Sequence, residues 1–338
     1  MTNLMKNTFK LMFSTLALSL AVTSLDAYSS TLIKVHSDMT EDSAQQEGLE
    51  LFKELVETRS KGNYEVKIYP NNALGNDVEV AQQMQFGAVQ AAPIPTAKLS
   101  GFDKDLQLID MPFLFPSREV VYEFLDGDVG KEVLSGLRSS GFEPAMFWES
   151  GFKQMTCNSP VSTPADMKNR KVRVMESPLL ISQYKALGSN PVPIAFSETY
   201  TALQQGVVEC QENPLVSISQ MKFYEVQKDL MLTNHGYLGT AFIFSKMWFD
   251  SQSADNQQLL IAAAREAGQY QRERSIVREE IYLNGIKQAG NTQISSLTPE
   301  QLGEFREAMS PVYKEFGAKL SDGLLERAQK ELSELSEM

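Results

Sequence analysis

From Ser251 to Leu297 the chain contains no proline, and Gly268, Gly285 and Gly290 are its only glycines there. Little in that stretch stops a helix, so Asp255 to Gln288 reads as one long helix or two abutting ones. At a rise of 1.5 Å per residue it would run roughly 50 Å, longer than one domain is wide. Such a helix has to cross more than one structural unit. The length of 338 residues agrees, since it is too long for one small core and two domains are the natural expectation.

Upstream, strand and helix patterns alternate. Thr31 to Ser37 alternates apolar and polar side chains as a strand does, and Glu41 to Thr58 places Leu49, Phe52 and Val56 on one helical face. Gly62-Asn63 breaks that helix, Tyr64 to Tyr69 is a second strand, and Val78 to Phe86 a second helix before a short strand from Ala88. This β-α-β rhythm predicts a parallel sheet covered by helices. Helices Ser117 to Leu125 and Val129 to Ser139 lead to a strand, Phe142 to Glu149.

A second α/β unit starts at strand Lys153 to Asn158. It continues through Thr163-Pro164, an N-cap with proline at the first helical position, to strand Val172 to Met175 and helix Leu179 to Leu187. Strand Pro191 to Ile194, helix Glu198 to Gln205 and strand Val207 to Cys210 follow. A short helix after Pro214 and a strand Leu230 to Asn234 complete the unit. Strand Thr240 to Trp248 precedes the long helix, and helices Pro299 to Phe316, kinked at Pro311, and Ser321 to Leu335 close the chain. The strands are too many for one compact sheet. The predicted fold is therefore α/β with two lobes and a cleft, where ligands meet the carboxyl ends of strands.

Lys6 and Lys10 precede an apolar run, Leu11 to Val22, and a small-residue end at Ala27. This is the layout of a cleaved secretory signal over residues 1–27, and the run is shorter than the roughly 20 apolar residues of a membrane span. An exported, soluble mature protein is expected. Net charge is −12 without a basic cluster, which argues against nucleic acid or an acidic membrane as partner. An anionic ligand would then be held by a few specific cations.

The candidate site residues are individually unremarkable types in a telling order. Lys153 and Arg173 sit in strand-like runs, and Lys171 shares the face of Arg173. A guanidinium matches a carboxylate with two parallel donors. Asn213 precedes Pro214, which predicts an amide projecting from a strand-to-helix turn. Phe196, Trp148, His36, Thr96 and His235 are further candidates for lining the cleft. Cys157 and Cys210 are expected to be two small buried hydrophobes, with a single bridge as the alternative. His36 and His235 are the only histidines, so a histidine metal site is not expected. No nucleotide, hydrolase or cofactor motif occurs; Ser182-x-x-Lys185 lacks companion motifs, and no cofactor or catalytic residue is assigned.

The order G-F-K-Q, K-V-R-V, A-F-S-E-T-Y-x-A-L-Q-x-G-V-V-E-x-Q-E-N-P, Y-E-V-Q-K and T-N-H-G-Y resembles the periplasmic solute-binding proteins of TRAP (tripartite ATP-independent periplasmic) transporters. Y-P-N-N-A-L-G-N-D and D-M-P-F-L-F upstream resemble it too, so the likeness spans nearly all of the mature chain. It implies a two-lobed periplasmic-binding-protein fold with hinge strands and a long helix spanning both lobes. The lobes would be 28–150 plus 239–278 and 151–238 plus 279–338. It implies a carboxylate ligand held by Arg173, assisted by Asn213 and Lys153, with Phe196 in the pocket. Lobe closure would present the ligand to the small and large membrane subunits, and the receptor would be a monomer and not an enzyme. Lys153 in G-F-K-Q-M looks most like the C4-dicarboxylate branch, where two cations would suit two carboxylates. Met175-Glu176-Ser177 departs from that branch, and His36-Ser37-Asp38-Met39 adds an acidic group that favours hydroxyls, so a sugar acid or other hydroxylated monocarboxylate stays open. A periplasmic hydrolase or lyase, or a receptor that hands its ligand-bound form to a sensor, are the remaining alternatives.

Overall fold

Among the described residues, ten strands carry the architecture: β1 (Thr31–His36), β2 (Tyr64–Tyr69), β3 (Ala91–Pro95), β4 (Phe142–Cys157), β5 (Lys171–Val174), β6 (Asn190–Pro193), β7 (Cys210–Pro214), β8 (Asp229–Leu232), β9 (Tyr237–Ser245) and β10 (Gln293–Ser296). They are described in a computed structural model that covers residues 30–337; the expected signal, residues 1–27, lies outside the described residues. One lobe has the strand order β2-β1-β3-β9-β4, parallel from β2 to β3 and antiparallel at β9 and β4. The other runs β4-β7-β5-β6, with β8 on β4 and β10 on β8.

β4 belongs to both lobes. Phe142 to Phe152 pair with β9, and Lys153 to Cys157 pair with β7 and β8. The sequence pattern predicts two strands, broken at Ser150-Gly151. In the structure the chain passes through that point in a register shift between Glu149 and Gly151, with Gly151 at φ 113°. That left-handed region costs glycine little, so glycine reads as a break yet serves here as a bulge.

The long helix spans Ala254–Ala289, capped by Ser253 and closed by Gly290 at φ 68°. Its first half buries Leu260, Ala263, Ala264 and Ala267 among Phe52, Trp148 and Phe242 in the first lobe. Near its end, Tyr282 and Ile286 pack with Phe196, Phe223 and Leu230 in the second. A Cβ at Gly268 would overlap Met146 Sδ and Trp148 Nε1, so small residues let the helix lie close to β4.

Several expected elements shift. The strand expected at Val207 to Cys210 is β7, which starts where that one ended, and β10 was not foreseen. Pro311 separates two helices, Pro299–Met309 and Pro311–Gly317. The terminal helix Leu324–Ser336, expected with the second lobe, packs against the first-lobe helices Arg118–Asp126 and Asp128–Gly136. Arg327 pairs there with Glu132 at 2.5 Å. Cys157 and Cys210 are bonded to each other, correcting the expectation of two buried thiols. They face one another across the antiparallel pair β4–β7. Among the described residues no helix is long and apolar enough to cross a membrane.

Candidate functional site

The carboxyl ends of the parallel strands β1, β3, β5 and β6 place His36, Thr96, Arg173 and Phe196 at or just beyond them, and β7 ends with Asn213-Pro214. Strand ends of open α/β sheets are where ligands bind, because the backbone there opens toward loops and helix starts. Arg173, Asn213 and Phe196 are all buried.

Arg173 is fully buried, and its Nε and Nη2 donate to the Ile194 carbonyl oxygen at 2.9 and 2.8 Å. Its Nη1 is buried without a partner, and the side chain forms no ion pair among the described residues. Burial pushes the guanidinium down to about 10, while Glu176, Glu212 and Asp77 act in the opposite direction. A buried cation so placed gains most from a bound carboxylate. Asn213 lies within β7, not at the turn expected from Asn-Pro, and its Nδ2 donates to Gln211 Oε1 at 2.6 Å.

Lys153 is not the free second cation of the sequence reading. Its Nζ lies 3.1 Å from Glu212 Oε1 and 3.8 Å from Asp110 Oδ1. Burial alone would raise the Glu212 carboxyl; Lys153 and His235 outweigh it and hold it at about 2. Burial drives Asp110 up to about 7 against the pull of Lys153. His235 stands behind this group, with Nε2 at 3.2 Å from Glu212 Oε2 and Nδ1 at 2.7 Å from Thr233 Oγ1. Thr96 Oγ1 lies 3.0 Å from Asp110 Oδ2. Thr96 and His235 therefore orient the carboxylates around Lys153.

The first lobe supplies a second buried charge group. His36 Nε2 meets Asp77 Oδ1 at 3.1 Å, and Lys98 pairs with the other Asp77 oxygen. Burial would raise Asp77; Lys98 and His36 overcome it and hold the carboxyl well below its usual range. Asp38 accepts from Gln45 at 3.1 Å, and burial together with Asp77 lifts it to about 6. Lys98 Nζ also lies 5.7 Å from the centroid of the Phe196 ring, across the cleft. Trp148, expected as a cleft wall, is in the first lobe's core, 4.9 Å from Phe242 and donating to the Ala264 carbonyl.

These groups form a sealed, charged cleft built from two lobes. A family model described as bacterial extracellular solute-binding protein, family 7 (DctP), matches residues 35–320. The chain belongs to this family.

Members of family 7 resembling this chain include the C4-dicarboxylate-binding periplasmic protein DctP of Rhodobacter capsulatus, 35% identical over 305 residues, or 90% of this chain and 92% of that one. A TRAP periplasmic solute-binding protein of Sulfurospirillum deleyianum, solved with succinate, is 35% identical with a TM-score of 0.85 over 88% of this chain and 98% of that one. The sugar acid binding protein DctPAm of Advenella mimigardefordensis, solved with galactonate, is 31% identical with a TM-score of 0.87 over 90% and 99%. The chain is thus a TRAP-type solute-binding protein with the two-lobed α/β fold of its relatives. Asp77, Lys98, Asp110 and Glu212 are buried charged residues beside the candidate site that the sequence pattern does not single out. Among the buried carboxylates, Asp38 is the one that the sequence pattern places toward the ligand. Their signal was weak: single charges inside or beside apolar runs, such as Lys98 in T-A-K-L and Glu212 in C-Q-E-N-P.

Proposed function

We propose that the protein captures a small organic-acid anion, C4-dicarboxylates first, by closing its lobes, and passes it unchanged to the small and large TRAP membrane subunits. Residues 1–27 serve as a removable signal, and the mature receptor works in the periplasm as a monomer. The lobes comprise 28–150 plus 239–278 and 151–238 plus 279–338, with the last helix laid back on the first lobe. The observation that carries this reading is the buried Arg173 with its unpartnered Nη1. A ligand carboxylate would supply the missing acceptor and the counter-charge together. Asn213 and Phe196 complete the anion end, while His36, Thr96, Lys153 and His235 hold the surrounding charges in place.

A sugar acid is the second reading. Lys153 is already neutralised by Glu212, so it does not require a second ligand carboxylate. Asp38, opposite, suits a hydroxyl. A thermal-shift panel of succinate, malate, fumarate, aldonates and uronates separates the two. A ligand at 100 times its Kd raises unfolding stability by about 2.7 kcal/mol. Arg173→Ala should abolish that gain for every anion; an unchanged shift would remove Arg173 from the site. The ligand should be recovered chemically intact, and its consumption by purified protein would replace the receptor reading with an enzyme.

A further inference from the structure

Two buried atoms at the end of β5 lack partners and have opposite hydrogen-bonding character. Arg173 Nη1 is a donor, and Glu176 Oε2 is an acceptor; neither has a partner among the described residues, and both are sealed from solvent. The two residues are three apart in sequence, one at the penultimate position of β5 and one two residues beyond its end. They do not pair with each other among the described ion pairs, although the Glu176 charge is the foremost one acting on Arg173. Ser177, next in the chain, is committed as the N-cap of helix Pro178–Ala186, which fixes the loop that carries Glu176.

A lone carboxylate ligand would satisfy Arg173 and leave the buried Oε2 of the half-buried Glu176 without a partner. An unpaired buried acceptor is expensive, more so when charged. The fragment that satisfies both presents an acceptor and a donor on adjacent carbons. We infer that Glu176 is a specificity-determining residue that accepts a hydrogen bond from a ligand hydroxyl next to the carboxylate held by Arg173, so that the recognised unit is a 2-hydroxycarboxylate. That unit is common to malate among C4-dicarboxylates and to aldonates among sugar acids. The inference rests on the receptor reading above and narrows it.

Paired ligands that differ only in this hydroxyl test it: malate against succinate, and gluconate against 2-deoxygluconate, by calorimetric titration of the purified full-length mature protein. Wild type should favour the hydroxylated member of at least one pair by about tenfold or more, as expected for a hydrogen bond to a charged group. The pair that binds identifies which chain the unit sits on. Glu176→Gln keeps the side-chain shape and should cut that preference severalfold while succinate binds as well or better, because a negative charge beside the ligand is gone. The ligand-free melting temperature of Glu176→Gln monitors folding, and Glu176→Asp should restore part of the preference. Equal affinity within both pairs, or a preference untouched in Glu176→Gln, overturns the inference while leaving the receptor reading intact. Failure of wild type to bind any of the four overturns both.

Discussion

Asp110 and Glu212 lie on either side of one ammonium group, and the protein treats them in opposite ways. Glu212 has Lys153 at 3.1 Å and His235 at 3.2 Å, and stays ionised down to about pH 2. Asp110 has Lys153 only at 3.8 Å and an unpartnered Oδ1, so desolvation wins and raises it from 3.8 to about 7. The signs differ accordingly. Stability from Glu212 is present above its unfolded value and lost as pH falls through about 2. The proton on Asp110 contributes stability that is full below 3.8 and lost as pH rises through about 7. Asp110→Asn should therefore be more stable than wild type at pH 8, by on the order of a few kcal/mol, and the gap should close by about pH 4. Urea unfolding at both pH values measures it; a gap that widens toward acid would mean Asp110 is held ionised. Residues of this kind explain what was legible. Arg173 stood out because its neighbours form a recognisable order. The partner of Lys153 did not, because Glu212 is 59 residues away and reaches it only through the β4–β7 pairing.

At the scale of elements, long helical segments were legible: Glu41 to Thr58, Val78 to Phe86 and Asp255 to Gln288 fall on Ala44–Arg59, Asp77–Gln85 and Ala254–Ala289, while the caps at Ser43, Asn76 and Ser253 emerge only in the structure. Short buried strands were harder. β7 reads Cys-Gln-Glu-Asn-Pro, a polar run with no strand propensity, and it forms because its polar groups face partners on β4, β5 and the cleft. The bond between Cys157 and Cys210 was open to the sequence only as an alternative, since register decides which side chains face each other and register is a tertiary property. That bond ties β4 to β7, the strands that carry Lys153, Glu212 and Asn213. It closes a separation of 53 residues, for which chain-entropy reasoning gives about 4 kcal/mol and measured cases typically 2–4. The double variant Cys157→Ala/Cys210→Ala should lose stability of that order in urea unfolding under oxidising conditions. A loss below about 0.5 kcal/mol would mean that β4 and β7 hold their register through backbone pairing alone.

For the whole molecule, the two lobes and the bridging helix followed from length and from the proline-free run, but the state of the cleft did not. The structure is closed. Contacts cross between lobes at Thr40 Oγ1 and Gln220 Oε1, 2.8 Å apart, at Lys98 and Phe196, and at Asp110 and Lys153. Thr40 and Gln220 differ from the others in being only part-buried and outside the charged groups described above. Removing that bond should leave the anion contacts intact and lower the fraction of protein in the closed state. Apparent affinity scales with that fraction, so a hydrogen bond of about 1 kcal/mol predicts roughly a fivefold weaker Kd in Thr40→Val. The weakening belongs in the off-rate, because the closed state holds the ligand and opening releases it. Stopped-flow displacement of a bound ligand should therefore show faster release with an unchanged on-rate, and ligand-free melting should barely move. An altered on-rate with normal release would place Thr40 on the entry route instead of in the clasp.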